Sequence, residues 1–200
     1  MLDPHPYDSS TDDKIVDSLE KVAQAFRVLL WNQGKEHALS PLQVQILLYL
    51  LRQRPENRKV SALAAEFDMS KATISDTVKT LGQKGLIIRE REEKDTRSFV
   101  IHLTERGRKI AETTSVFARQ IRIPIRNMPQ SDKENLLLSL MDIIRHLNRA
   151  GVITVQRMCA TCAHYSPPEG GRLHFCNLLN QELHATDLRI DCPEHVLKKE

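Results

Sequence analysis

All four cysteines of this 200-residue chain, Cys159, Cys162, Cys176 and Cys192, fall in its last quarter, and residues 1–158 contain none. That distribution divides the chain into a cysteine-free body and a cysteine-bearing tail before any secondary structure is considered. The N-terminus, Met1-Leu2-Asp3-Pro4-His5-Pro6, has neither the basic start nor the apolar run of a secretory signal. The expected compartment is therefore the cytoplasm, where clustered thiols ligate metals more often than they form disulfides. The densest apolar stretch, Ile46-Leu47-Leu48-Tyr49-Leu50-Leu51, falls far short of the roughly 18 residues of a membrane span, so no membrane partner is expected. Aromatic residues make up only 4% of the chain against 40% hydrophobic, which favours a core of Leu, Ile and Val packed between helices.

Residues 1–12 are polar and aperiodic and read as a loose arm. From Asp13, the apolar positions Ile15, Leu19, Val22, Phe26 and Leu29/Leu30 recur at helical spacing and predict a first helix to about Trp31. Ser40-Pro41-Leu42-Gln43 offers an N-cap, a proline at the first helical position and a Gln three after the cap, so a second helix should run from Pro41 to about Arg54. A short helix from Ala62 to Phe67, a turn at Asp68-Met69, and a helix opened by Ser70 and Thr73 follow. The last carries Ile74, Val78 and Leu81 on one face and ends at Gly85, a C′ glycine. Two helices joined by a tight turn form a helix-turn-helix. Leu86–Glu90 and Arg97–Leu103, the second alternating Phe99, Ile101 and Leu103 against Ser98 and His102, predict a hairpin with a charged tip, Arg91 to Thr96. The sum is a winged helix. Thr104 should cap a long helix running toward Pro124, and Ser131 with Glu134 a final one, striped by Leu137, Leu140, Ile144 and Leu147 and closed by Gly151. The expected fold is mainly α with a small β-hairpin wing and long dimerisation helices, followed by a small metal-stapled tail. Its parts are an arm over 1–12, a winged-helix and dimerisation domain over 13–150 and the tail over 151–200.

A short helix that exposes small polar groups at its start can enter the major groove of double-stranded DNA. Ser70, Thr73 and Ser75 can donate to phosphates or base edges, and Lys71 can reach a phosphate or a guanine. Ala72 can touch a thymine methyl, and Lys79 can hold the backbone two turns along. Arg89, Arg91, Lys94 and Arg97 give the wing a positive tip suited to phosphates or the minor groove. Taken singly, a Ser-x-x-Thr helix start is most often a cap and a charged hairpin most often a solvated turn. Their order, helix-turn-helix and then basic wing, is what points to DNA. The first helix and the last two also carry apolar stripes that a winged-helix core of this size leaves uncovered, and a second copy would cover them.

The segments Val60-Ser61-Ala62-Leu63-Ala64, Ser70-Lys71-Ala72-Thr73-Ile74-Ser75, Lys84-Gly85-Leu86-Ile87, Asp95-Thr96-Arg97 and Leu103-Thr104-Glu105-Arg106-Gly107 resemble the MarR family of winged-helix transcriptional regulators, over roughly residues 13–150. The resemblance implies a homodimer on a pseudopalindromic operator, usually a repressor released by a small-molecule effector or by thiol chemistry. It also implies that Asp95 braces the wing while Arg97 reaches DNA. One position departs from the family's pattern: Asp76 stands where the recognition helix often carries arginine, and its expected role is to cap or to pair with Lys79 or Arg89. Any thiol-based sensing must lie in the tail, since the body has no cysteine.

The tail reads Cys159-Ala-Thr-Cys162, thirteen residues, Cys176, fifteen residues, Cys192. Two cysteines two residues apart converge on one metal, and two more complete a tetrahedral set. Pro167-Pro168-Glu169-Gly170-Gly171 would fold the chain back, and a fifty-residue tail short of large apolar residues has reason to be held by a metal. Zinc is the preferred occupant, as a structural staple. A [4Fe-4S] cluster is the alternative, since the spacing with Cys176-Asn-Leu-Leu is similar to that of high-potential iron–sulfur proteins. His164, His174, His184 and His195 are expected to be surface residues or supporting donors. No catalytic constellation is present: G-x-S-x-G, H-E-x-x-H, a P-loop and a dinucleotide fingerprint are all missing, so an enzyme is not expected. The expected function is a DNA-binding transcriptional regulator whose tail staples the fold or senses metal or redox state. The alternatives are a redox or electron-transfer accessory built on an iron–sulfur tail, and a protein-interaction module.

Overall fold

The computed structural model describes residues 10–91, 99–170 and 173–198. The chain forms two compact units, one drawn from Met1–Leu63 and Lys71–Ile121, the other from Ala64–Ser70 and Arg122–Glu200.

In the first unit, helix α1 (Thr11–Lys35) opens with a capping box: the Ser10 hydroxyl accepts from the Asp13 N–H, and the Asp13 carboxylate accepts from the Ser10 N–H. It runs beyond the predicted end at Trp31 and takes in Gly34. A Cβ at Gly34 would lie 2.4 Å from the Leu39 carbonyl oxygen. The glycine lets the returning chain close on the helix, and the Leu39 N–H donates to its carbonyl at 2.9 Å. Helix α2 (Pro41–Arg52) carries the predicted box between Ser40 and Gln43. It forms the centre of the unit, with Val44, Ile46, Leu47 and Leu50 fully buried. Helix α3 (Val60–Glu66), whose end from Ala64 belongs to the second unit, leads through a left-handed Asp68 to helix α4 (Lys71–Gln83) of the first, and Gly85 follows at φ +67° as the expected C′ glycine.

Strands β1 (Ile87–Arg91) and β2 (Phe99–Leu103) pair antiparallel, with Ile87 opposite Leu103 and Arg91 opposite Phe99. Ile101 points into the core, and its N–H donates to the Arg58 carbonyl at 2.8 Å. Helix α5 (Glu105–Thr114) is capped by Thr104, whose hydroxyl also donates to the Gly85 carbonyl at 2.8 Å. The helix predicted to run to Pro124 instead breaks at a 3-10 turn, Ser115–Ala118. Three successive hydroxyls stand at the break. Thr113 and Thr114 donate to the Ile110 carbonyl and Ser115 donates to the Glu112 carbonyl, competing with the helical ladder. The turn is packed rather than loose, with Phe117 edge-on to Phe26 of α1 at 6.0 Å. Pro124 sits inside helix α6 (Arg119–Asn127) without ending it.

In the second unit, helix α7 (Gln130–Arg149) starts at Pro129 and is closed by Gly151 at φ +73°. The capping box expected of Ser131 and Glu134 does not form, because Pro129 already sets the start and leaves Ser131 in the first turn. The tail holds a small antiparallel sheet, ordered β3 (Tyr165–Ser166), β4 (His174–Cys176), β5 (Gln181–Leu183). The predicted turn over 167–171 lies between β3 and β4, with Gly170 left-handed and Gly171 outside the described residues. The tail is not coreless as its composition suggests. Met158, Leu183 and Leu188 are buried with Met141 of α7, and Leu137, Leu138 and Ile144 pack around them. Residue 150 is thus a change in sequence character, while the packing joins α7 to the tail. Part of the α7 stripe expected to face a second copy is covered by the chain's own C-terminal segment.

Candidate nucleic-acid interface and four-thiol cavity

Three residues orient α4. Ile74, Val78 and Leu81, spaced four and three apart, are fully buried, which turns the opposite face outward. Lys71, Ala72, Thr73, Ser75, Asp76 and Lys79 are all exposed, and Ser70 stands exposed just before the helix. The sequence-predicted contact residues on this helix therefore share its start and its open face. The Thr77 and Thr80 hydroxyls turn back onto the Thr73 and Asp76 carbonyls at 2.8 and 2.9 Å. The ion pair expected of Asp76 with Lys79 or Arg89 does not form: none joins it to any described residue.

On the hairpin, Arg89 and Arg91 are exposed. The Arg91 guanidinium lies 5.9 Å from the centroid of the Phe99 ring, a cation–π contact that holds it against β2. Glu90 pairs across the strands with His102 at 3.1 Å. Lys94, Asp95 and Arg97, the predicted wing tip and brace, lie outside the described residues. A short helix with a small, polar, singly cationic start and a strand pair bearing two exposed arginines can neutralise phosphates and present hydrogen-bonding groups to a groove.

In the tail, Cys159, Cys162, Cys176 and Cys192 line a single cavity of about 200 Å³, and none forms a disulfide. Cys159 opens a 3-10 turn, Cys159–Thr161, and the Cys162 N–H closes it onto the Cys159 carbonyl at 2.9 Å. Cys176 ends β4. Cys192 is fixed by its N–H to the Arg157 carbonyl at 2.8 Å. The Arg189 N–H donates to Cys159 Sγ at 3.2 Å, and the Arg189 guanidinium donates to Cys192 Sγ at 3.8 Å. Burial pushes the Cys159 thiol pKa up and the other three thiols add to the rise, while the Arg189 N–H opposes it. Of the histidines, only His164 lines the cavity. His174 Nδ1 and the Tyr165 hydroxyl are 2.5 Å apart, and His195 Nε2 and the Thr161 hydroxyl 3.0 Å. His184 N–H donates to Asp187 as a cap of the next turn.

The sequence gives no hint of a second set of residues. Arg157 donates from Nη2 to Glu66 at 2.8 Å and from Nε to Asp191 at 2.5 Å. Burial opposes its charge, but the bonds to Asp191 and Glu66 outweigh this and push its pKa up. Thr154 donates from its N–H to the Asp68 carboxylate at 3.0 Å and from its hydroxyl to the Ala65 carbonyl at 2.8 Å. These partners lie 86 to 91 residues away in sequence, except Asp191 at 34, so no local pattern could have found them.

Residues 30–114 match the family described as transcriptional regulator SarA/Rot. The HTH-type transcriptional regulator SarZ of Staphylococcus haemolyticus is 27% identical over 110 residues, 55% of this chain and 73% of that protein. Among solved structures, the S. aureus MepR–DNA complex superposes with a TM-score of 0.59 at 20% identity, covering 66% of this chain and 97% of MepR. A MarR transcriptional regulator from Methanosarcina mazei Go1 gives 0.59 at 19%, covering 69% and 99%. The fold is the MarR-type winged helix. The matched family and relatives are transcriptional regulators and not enzymes. No helix among the described residues is long and apolar enough to cross a membrane. The four-cysteine tail lies outside the matched residues 30–114.

Proposed function

We propose that this chain is a transcriptional regulator of the SarA/Rot and MarR type that binds a pseudopalindromic operator as a homodimer, in the usual sense of a repressor. The open face of α4 carries this reading: its buried Ile74, Val78 and Leu81 leave Lys71, Ala72, Thr73 and Ser75 outward at the helix start, in a fold that MepR shares in its DNA complex. The dimer is supported by α1, which leaves Ile15, Val22, Val28 and Trp31 between 45% and 56% exposed, an apolar surface that a second copy would cover. The tail, in this reading, holds one metal centre per chain through Cys159, Cys162, Cys176 and Cys192, and so staples its own fold or reports metal or redox state.

Selection of duplexes from a random pool, followed by titration at several salt concentrations, tests the DNA function. The expected result is one inverted-repeat motif, bound at least about 10³-fold more tightly than random DNA. Lys71→Ala and Arg97→Ala should each weaken binding strongly while leaving the far-ultraviolet circular dichroism unchanged. No enriched motif, or full affinity in both variants, overturns the reading.

A further inference from the structure

The four tail thiols share the lining of one cavity. A single zinc ion about 2.3 Å from each of four sulfurs draws those sulfurs within about 4 Å of one another and leaves no void between them. The thiols and nine other residues line a cavity of about 200 Å³, well above the roughly 10–15 Å³ that holds one water molecule. Among the described residues, no three His, Cys, Asp or Glu side chains converge closely enough to hold one ion. The walls are partly apolar, with Tyr165 and Leu183 among them. Two N–H donors of Arg189 are aimed at the sulfurs of Cys159 and Cys192, as suits thiolates that share excess negative charge. We propose that this cavity takes a cubane [4Fe-4S] cluster, with one iron bonded to each of Cys159, Cys162, Cys176 and Cys192. Each thiol releases its proton and forms one Fe–S bond; four thiolates on a [4Fe-4S]²⁺ core leave a net charge of −2, with the Arg189 guanidinium and the Asp187 and Glu194 carboxylates all lining the same cavity. The proposal rests on the reading of the tail as a metal site.

The test is metal and acid-labile sulfide analysis of the full chain purified without oxygen, with a parallel sample incubated with equal ferrous and ferric iron and with sulfide. The expected result is about four irons and four sulfides per chain, with a brown colour that bleaches on reduction. About two irons and two sulfides, or one zinc and no iron, overturn the cluster and leave a metal site of another kind. No metal in either sample overturns both the cluster and the metal site. DNA binding measured on the same samples separates these outcomes from failure of the regulator reading.

A different observation, independent of which metal the cavity takes, links it to the helix-turn-helix. Arg157 lies two residues before Cys159 and holds Glu66, the last residue of α3, and Asp191, the neighbour of Cys192. Thr154 holds Ala65 near the end of α3 and Asp68 in the turn after it. Arg157 and Asp191 thus stand beside Cys159 and Cys192 in the chain, so a centre bonded to those sulfurs adjoins both residues of this ion pair. We infer that Arg157 transmits the occupancy of the tail site to the turn between α3 and α4, so that metal loss changes operator affinity. In the native chain, the loaded and metal-free forms should differ at least tenfold in operator Kd. In Arg157→Met the two Kd values should agree within about twofold, with metal content unchanged. Thr154→Val, a milder change, should narrow the difference without closing it. Equal Kd values in the native forms, or an undiminished difference in both variants, overturn the link. If no form binds DNA, the regulator reading falls and the link falls with it.

Discussion

A Cβ at Gly107 would sit 1.9 Å from the Leu86 carbonyl oxygen, which is backbone and has no rotamer in which to retreat. The glycine is what allows α5 to start directly against the entry to β1, where the Thr104 N–H also donates to the Leu86 carbonyl at 3.0 Å. Gly107→Ala should therefore destabilise the first unit by about 1–3 kcal/mol, as overpacking does, read as a lower urea midpoint at constant slope. A midpoint equal to that of the native chain would show that this approach is softer than the geometry implies. Gly85 and Gly151, which end helices at positive φ, are legible from their neighbours alone. Gly34 and Gly107 are not, because each answers to a carbonyl supplied by a separate part of the backbone. Arg157 is illegible for the same reason, as its partners come from α3 and from the far end of the tail.

At the scale of elements, helix starts were the most readable feature. Ser40-Pro41-Leu42-Gln43 carries its box in four consecutive letters and forms it. Ser131 and Glu134 carry the same letters without effect, since Pro129 has already fixed the entry of α7. The break after α5 falls short of the expected end at Pro124, and the proline gave no sign of it. In the structure the helix is interrupted at Ser115–Ala118, and Pro124 lies inside the next helix without ending it. For α4, periodicity alone was enough. Its three buried positions fix its outward face, and the candidate contact residues on that helix follow. The cavity was legible in part. Four cysteines at those spacings announce a shared site, but a spacing says nothing of how far apart the sulfurs stand once the chain is folded.

The whole molecule offers its own reporter for assembly. Trp31 is the sole tryptophan, and it lies 56% exposed on α1 among the apolar residues that a second copy would cover. On dilution, its fluorescence should shift to the red as the dimer dissociates, in step with a fall in sedimentation coefficient. A Trp31 spectrum independent of concentration, with a mass of one chain throughout, would remove the dimer from the proposed function. The membership of the two units carries a separate consequence. Residues 64–70, the end of α3 and the turn after it, belong with the tail and not with the rest of the winged helix. Body and tail are therefore not interchangeable modules. A graft of residues 151–200 onto another winged helix would arrive without the apolar face of α7 that covers Met158, and without Glu66 and Asp68 to receive Arg157 and Thr154. The portable unit is the tail with α7 and these two carboxylates. A lineage that acquired it would have to change its helix-turn-helix as well.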